Sequence, residues 1–259
     1  MSEVVKAIDN PKSERRAAAR TLRDALPADL RQAASDAICK KIAAMASFGL
    51  CETLLCYYPI GSEVDLRPLM THALACGKRV GLPLYDEAQA TMEFYAISST
   101  DDVAPVGKLG IPSPHAEEAN RIIPDGKTML LLPGLLFDGR GHRIGSGCGV
   151  YDRYIFAHKE LLHSSLCIGV SYAALVSDIP IPYTAEDVSV SLIVTEKKLI
   201  FARKVERAPK WEVRRRRYVP LVDKDGNPQK VEDKPYYNAN YVSPQDGKYL
   251  PPSVKELKS

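Results

Sequence analysis

The chain has 259 residues, of which 45% are hydrophobic and 26% are charged, and its formal net charge is +3. These are ordinary values for a globular protein, and they exclude a chain that is fibrous or disordered throughout. Apolar runs stay below the roughly 18 residues that a membrane span needs. The N-terminal arginines are mixed with acidic residues, which is not typical of a targeting peptide. We therefore expect no membrane association.

Cysteine usage indicates a reducing compartment, and histidine spacing does not indicate a zinc site. The six cysteines show neither a C-x-x-C pair nor the density of a disulfide framework, so reduced and mostly buried thiols are expected. The five histidines lack the spacing of zinc ligands. The predicted location is the cytoplasm, with the mitochondrial matrix as the alternative.

In chain order, helical and strand patterns alternate. Residues 13–46 carry Ala, Leu and Ile at helical spacing, and Pro27 marks a break between two helices. Further helices are predicted over 66–76, ended by Gly77, and over 151–162. Strands are predicted over 53–58, 79–84, 91–97, 129–132, 166–170 and 189–194. This alternation predicts an α/β fold with a mostly parallel sheet and right-handed crossovers.

A glycine-rich segment follows the apolar run at 129–132. Gly145, Gly147 and Gly149 are separated by single residues, and Asp152 comes soon after. Alternating glycines let main-chain amides turn toward an anion, and a helix starting here would add its positive end. Three arginines supply further positive charge: Arg140, Arg143 and Arg153. A polyphosphate site is one interpretation, and a glycine-rich surface turn is the other.

The spacing fits neither of two common phosphate motifs. In the dinucleotide fingerprint the third glycine would stand at the position of Val150, and no Lys-Ser or Lys-Thr of a P-loop follows. The segment instead resembles the signature of the 5-formyltetrahydrofolate cyclo-ligase family, also called 5,10-methenyltetrahydrofolate synthetases. That signature reads approximately P-G-x-x-F-D-x-x-G-x-R-[LI]-G-x-G-x-G-[YF]-[YF]-D. The matching residues are Pro133, Gly134, Phe137, Asp138, Gly141, Arg143, Ile144, Gly145, Gly147, Gly149, Tyr151 and Asp152.

The resemblance extends over residues 12–200. Arg16 and Arg20 stand at the place of a Lys-x-x-x-Arg pair that opens a long helix in the family. Glu63 lies in a turn that follows the first strand. The segment 179–187 resembles the closing segment of the family, whose aspartate helps to bind Mg²⁺, and it ends at Asp187.

The resemblance implies a three-layer, Rossmann-like fold and ATP-dependent cyclisation of 5-formyltetrahydrofolate to 5,10-methenyltetrahydrofolate, with Mg²⁺ as the metal. It implies that Arg143 and Tyr151 are catalytic and that Asp152 and Asp187 hold Mg²⁺. The implied folate contacts are Tyr58, Glu63, Gly147 and Tyr151. The implied ATP contacts are Arg16, Arg20, Arg143, Gly145, Ser146, Gly147, Cys148, Gly149 and Tyr151.

Each of these residues also has a plain interpretation when it is taken alone. Arg16 and Arg20 fit a solvated helix face, Glu63 fits a surface turn, and Tyr151 fits the core. The glycine loop also departs from the family pattern, with three unusual residues at its variable positions: Ser146, Cys148 and Val150. Either full activity or a catalytically weak scaffold is therefore consistent with the loop.

The C-terminal part differs in composition from the rest, which predicts an α/β domain over 1–201 and an irregular extension over 202–259. The extension has fourteen Lys and Arg against eight Asp and Glu, so its net charge of +6 leaves −3 for residues 1–201. Four consecutive arginines at 214–217 lie beside Trp211 and Tyr218. Such a segment suits RNA or an acidic protein surface, and the alternative is an extension docked on its own domain. The second hypothesis for the whole chain is accordingly a component of a larger, ribonucleoprotein-like assembly.

Overall fold

The computed structural model describes residues 11–107 and 110–202. The helices are α1 (Pro11–Asp24), α2 (Ala28–Ala43), α3 (Ala46–Leu50), α4 (Arg67–Ala75), α5 (Val150–Ala157) and α6 (Lys159–Leu162). The first strands are β1 (Thr53–Leu55), β2 (Arg79–Asp86), β3 (Thr91–Ile97), β4 (Val103–Val106), β5 (Ile111–Pro114), β6 (Arg121–Ile122) and β7 (Thr128–Leu132). The remaining strands are β8 (Leu136–Asp138), β9 (Arg143–Ile144), β10 (Leu166–Val170), β11 (Val176–Ser177), β12 (Leu192–Val194) and β13 (Leu199–Phe201). The predicted features of 203–259 lie outside the described residues.

Eight strands form the central sheet, in the order β13-β12-β10-β7-β1-β2-β3-β6. The five strands from β12 to β2 are parallel, and β13, β3 and β6 are antiparallel to their neighbours. The antiparallel strands occupy the two edges, so the mostly parallel sheet that the sequence predicts is confirmed. Parallel strands buried on both faces consist of continuous apolar residues, and all five residues of β7 are buried.

Helices cover both faces of this sheet. Successive residues of a strand point to opposite faces, so Leu54 packs in one hydrophobic cluster with residues of α1 to α4, and Leu55 packs in another with α5 and α6. The expected three-layer α/β architecture is therefore present. Within 11–107 and 110–202, no helix has both the length and the apolar character needed to cross a membrane.

The structure adds elements that the sequence patterns did not reveal. The β4–β5 and β8–β9 hairpins lie outside the central sheet, and the second of them separates β7 from the glycine loop. The strand predicted over 53–58 ends at Leu55, and the helix predicted over 151–162 is divided at His158. The β8–β9 hairpin matters for function because it sets the direction in which the chain enters the glycine loop.

Asp138 organises this hairpin from the inside. Its carboxylate is buried and accepts hydrogen bonds from the backbone amides of Arg140, His142 and Ile181. Burial alone would raise the pKa of Asp138, but the bonds from His142 and Ile181 bring this pKa below its ordinary value. Asp138 thus ties the hairpin to the segment 181–188, which also reaches the cleft described next.

Candidate active site

A cleft of about 670 Å³ lies between α1, the glycine loop, the start of α5 and the segment 184–187. Eleven of the predicted site residues line it: Arg16, Arg20, Glu63, Arg143, Gly145, Ser146, Gly147, Gly149, Tyr151, Asp152 and Asp187. Distant parts of the sequence are thus brought to one place, at the carboxyl end of the parallel strands where open α/β sheets bind their ligands.

One face of α1 presents a row of cations to the cleft. Lys12, Arg16, Arg20 and Arg23 follow one another at helical spacing, and all four line the cleft. Arg16 also donates from Nε to the carbonyl oxygen of Gly145 at 2.9 Å, which joins α1 to the glycine loop. Lys12 and Arg23 were not predicted. The signal for Lys12 was present, because Lys12 and Arg16 themselves form a Lys-x-x-x-Arg pair one turn before Arg16 and Arg20.

The glycine loop uses backbone conformations that suit glycine alone. Gly147 has φ of 115° and Gly149 has φ of 61°, a region that side chains with a Cβ rarely adopt. A Cβ on Gly147 would lie at an ordinary contact distance of 3.5 Å from the guanidinium carbon of Arg16, so the backbone conformation is what favours glycine there. Gly149 is the N-cap of α5, so the loop delivers the positive end of that helix to the cleft. This arrangement fits a bound phosphate group.

Arg143 and Asp152 form an ion pair at the base of the cleft. Nη2 of Arg143 lies 2.9 Å from Oδ1 of Asp152, and the same oxygen accepts a hydrogen bond from the amide of Val188 at 3.0 Å. Nη1 of Arg143 donates to the carbonyl oxygen of Val188 at 2.7 Å. Both residues line the cleft, and they also fasten the segment before β12 to the glycine loop.

Asp187 is paired with α1. Nζ of Lys12 lies 2.6 Å from Oδ2 of Asp187, and the backbone amide and hydroxyl of Thr184 donate to the same oxygen at 2.6 and 3.1 Å. Burial alone would raise the pKa of Asp187, but the bonds from Lys12 and Thr184 lower this pKa on balance. The carboxylate is therefore ionised at neutral pH.

Glu63 and Tyr151 also line the cleft. Burial raises the pKa of Glu63, and the nearby Arg23 cation opposes that rise. Burial, followed by the negative charge of Glu63, also raises the pKa of Tyr151. The phenol of Tyr151 thus stays protonated in the physiological range and is a hydrogen-bond donor.

Two predicted site residues lie outside the cleft lining. Tyr58 belongs to the edge of the core and interacts with Arg67, whereas its neighbour Tyr57 lies against Glu63 in a small cavity. The reason is that β1 ends at Leu55, so strand alternation does not set which way residues 56–58 point. Cys148 is exposed, and its thiol does not enter the cleft.

Arg153 also turns away from the cleft. It donates to the carbonyl oxygens of Cys148 at 2.7 Å and Ala90 at 3.3 Å. Arg153 therefore braces the outside of the glycine loop. The positive charge inside the cleft comes from α1 and Arg143.

The carboxylates of the cleft suit Mg²⁺ bound together with phosphate. Across 11–107 and 110–202, no cluster of three or more potential metal-ligating side chains is present. Mg²⁺ usually takes one or two carboxylates, several waters and oxygens of a phosphate substrate. Asp152 and Asp187 both line the cleft and supply two carboxylates.

The chain also resembles known proteins in sequence and in structure. The sequence profile of the 5-formyltetrahydrofolate cyclo-ligase family matches residues 8–196. A probable 5-formyltetrahydrofolate cyclo-ligase of Schizosaccharomyces pombe is 28% identical over 177 residues, which are 64% of this chain and 85% of that protein. A mitochondrial 5-formyltetrahydrofolate cyclo-ligase of Arabidopsis thaliana is 26% identical over 219 residues, with 74% of this chain and 78% of that protein covered. The NMR structure of Aquifex aeolicus 5,10-methenyltetrahydrofolate synthetase superposes with a TM-score of 0.64 at 30% identity, over 76% of this chain and 95% of that one.

Proposed function

The chain belongs to the 5-formyltetrahydrofolate cyclo-ligase family, and on that basis we propose that it converts 5-formyltetrahydrofolate to 5,10-methenyltetrahydrofolate while ATP becomes ADP and phosphate. The observation that carries this proposal is one cleft in which the cations of α1, the glycine loop and two carboxylates meet. Phosphoryl transfer requires charge neutralisation and alignment more than a side-chain nucleophile. The cleft supplies both.

The triphosphate would lie between α1 and the glycine loop. Main-chain amides of 145–149 would bind the phosphates, and Lys12, Arg16 and Arg20, which line the same cleft, would neutralise their charge. Arg143 sits at the base of this region, and its guanidinium is oriented by Asp152 and Val188. The protonated phenol of Tyr151 would donate a hydrogen bond to a reacting oxygen.

The proposed reaction has two steps, phosphorylation of the formyl oxygen and then ring closure. The formyl oxygen attacks the γ-phosphorus, the bond from phosphorus to the oxygen that leaves with ADP breaks, and an imidate phosphate forms. The N10 lone pair then attacks the formyl carbon, the bond from that carbon to the phosphate oxygen breaks, and inorganic phosphate leaves. N10 loses its proton as the five-membered ring closes, so a proton acceptor is needed near the folate.

Glu63 is the residue that we assign as that proton acceptor. It lines the cleft, and burial raises its pKa above the ordinary value of a glutamate. A carboxylate whose pKa is raised is a stronger base in its ionised form than an ordinary carboxylate. The folate would accordingly lie with N10 toward Glu63 and its formyl oxygen toward the phosphates.

Asp152 and Asp187 are the proposed Mg²⁺ ligands. Bound Mg²⁺ would offset the negative charge of the phosphate oxygens during transfer. Each carboxylate already uses one oxygen in the ion pairs described above. The residues therefore fit a metal that arrives with the nucleotide better than one held by protein ligands alone.

Turnover by the purified full-length protein tests the function. Mixing it with 5-formyltetrahydrofolate and Mg-ATP should raise the near-ultraviolet absorbance of methenyltetrahydrofolate, and the rise should disappear when ATP is omitted. Isothermal calorimetry with Mg-ATP supplies a second measurement. Nucleotide binding without any absorbance change would contradict the proposed reaction while leaving the proposed phosphate site intact.

We propose the cytoplasm as the working compartment, with the mitochondrial matrix as the alternative. The Arabidopsis relative is described as mitochondrial, which is the argument for that alternative. For the basic extension over 202–259, binding to RNA or to an acidic protein surface stays a prediction. A test is whether the full chain, but not a chain ending at residue 202, binds RNA in a salt-dependent way.

A further inference from the structure

Glu63 is held by side chains from outside its own turn. Nη1 of Arg23, on α1, lies 3.4 Å from Oε1 of Glu63, and Nε of the same arginine donates to the hydroxyl of Ser62 at 3.0 Å. That hydroxyl in turn donates to the carboxylate of Asp24. The backbone amide of Ile60 donates to the second carboxylate oxygen of Glu63 at 3.3 Å. Both oxygens of Glu63 are therefore directed by neighbours.

Two buried tyrosines fix the backbone of the same turn. The hydroxyl of Tyr172 donates to the carbonyl oxygen of Glu63 at 3.1 Å, and the hydroxyl of Tyr57 donates to the carbonyl oxygen of Val64 at 3.0 Å. Tyr57 follows β1 and Tyr172 follows β10, so two strands of the sheet support the turn. The cavity on this side measures only about 10 Å³ and is lined by Arg23, both tyrosines and Glu63. The carboxylate thus has little room to leave the cleft.

We propose that Arg23, with Tyr57 and Tyr172, forms a bracket that positions Glu63 to receive the N10 proton. This inference rests on the proposed function, because it assigns Arg23 a role in that reaction through Glu63. Arg23 is a positioning residue in this scheme, and the cations that face the phosphates are Lys12, Arg16 and Arg20.

The charge of Arg23 has a second effect, on the pH range in which Glu63 is ionised. The titratable groups that face Glu63 are Arg23 from α1, Tyr57 and Tyr172 from the strand ends, and Tyr151 from α5. Burial raises the pKa of all three tyrosines, so they stay neutral while Glu63 titrates. Of these four groups, Arg23 is therefore the one whose removal changes the charge next to Glu63.

The test compares Arg23→Gln, Arg23→Lys and Glu63→Gln in the full-length protein, with Arg79→Gln as the matched control. Arg79 is exposed at the start of β2 and does not line the cleft. Initial rates are measured from pH 5 to 9, at varied folate and at varied Mg-ATP. Carbon-13 NMR of labelled glutamate gives the titration midpoint of Glu63 directly, since Glu63→Gln removes that signal.

Removing the cation should raise the pKa of Glu63, so the acidic limb of the pH–rate profile moves to higher pH in Arg23→Gln, by about 1 pH unit. kcat should fall by about tenfold or more, with KM for ATP nearly unchanged. Lysine at position 23 keeps the charge and should return the limb to its original position. The Arg79 variant should match the parent. Tyr172→Phe should lower kcat without moving the limb, because it loosens the turn and leaves the charge in place.

Two results would overturn the bracket. One is an NMR midpoint for Glu63 that is the same in Arg23→Gln and the parent. The other is a loss of activity in Arg23→Gln with an unmoved acidic limb and no recovery in Arg23→Lys, which is what a purely structural arginine would give. Failure of the proposed function looks different, because the parent then shows no turnover while the NMR midpoint still responds to Arg23.

Discussion

Asp152→Asn tests two roles of one carboxylate, its ion pair with Arg143 and its proposed role as an Mg²⁺ ligand. The substitution keeps the size of the side chain but removes its charge. Oδ1 of Asp152 then no longer balances Arg143, whose side chain is only 6% exposed. The amide of Val188 loses a charged acceptor at the same time. The variant should therefore be less stable as well as less active.

The size of the effect follows from burial. Removing one partner of a fully buried ion pair costs about 3–5 kcal/mol, but Asp152 is 22% exposed and solvent screens part of its charge. We expect a loss of about 2 kcal/mol in the free energy of unfolding. For a domain of this size that corresponds to a fall of about 4–8 °C in Tm.

Asp187→Asn is the matched comparison. Lys12 is 18% exposed whereas Arg143 is 6% exposed, and ion pairs contribute less as solvent reaches them, falling to at most about 1 kcal/mol at the surface. If both aspartates hold Mg²⁺, both variants should lose turnover, but Asp152→Asn should lower Tm more than Asp187→Asn. Circular dichroism melts of parent and variants measure this. Equal shifts in Tm, or a Tm for Asp152→Asn within about 1 °C of the parent, would refute the reasoning.

Three further outcomes follow from residues around the cleft. The pKa of Asp138 is lowered in the fold, so its ionised form contributes stability at neutral pH that is lost as pH falls below about 4. Asp138→Asn should be less stable than the parent at pH 7, but its free energy of unfolding should fall less between pH 7 and pH 3. Urea unfolding midpoints at the two pH values measure both differences. Gly169→Ala should lower stability by about 1–3 kcal/mol, because the added Cβ would lie 2.4 Å from Cε1 of the buried Phe137; an unchanged Tm would contradict that packing. Cys148→Ala should keep kcat/KM within about twofold of the parent, since the thiol is exposed outside the cleft; a larger loss would place Cys148 in the site.

The elements that the sequence predicts well are those with a strong apolar signal. β7 and β10 were predicted within one residue because they are short, continuous apolar runs, as parallel strands covered on both faces require. Both strands of the β4–β5 hairpin contain proline. Proline in a sequence argues against a strand, so this hairpin was not predicted. β6 has two residues, too few for any period to be visible.

The same contrast holds for the cleft. Arg16 and Arg20 could be placed on one face because helical spacing is regular, and the same rule extends to Lys12 and Arg23 once the start of α1 is known. Tyr58 could not be placed, because it follows the end of β1 and no period continues there. The bracket on Glu63 joins residues far apart in the chain, and Tyr172 is 109 positions from Glu63. Contacts of that kind depend on the order of strands in the sheet, which local patterns do not determine.

The ion pairs in the cleft would couple the binding of nucleotide to the binding of metal. Lys12 now balances Asp187, and Arg143 balances Asp152. A bound triphosphate would attract Lys12 away from Asp187. The carboxylate of Asp187 would then be free to bind Mg²⁺, so both Lys12 and Asp187 would still have a partner of opposite charge. The Lys12–Asp187 pair is more exposed than the Arg143–Asp152 pair and should open more readily, whereas the Arg143–Asp152 pair also holds Val188 and should persist. Lys12→Met should therefore weaken Mg-ATP binding but strengthen Mn²⁺ binding measured without nucleotide, whereas weakening of both would show that Lys12 only shapes the cleft.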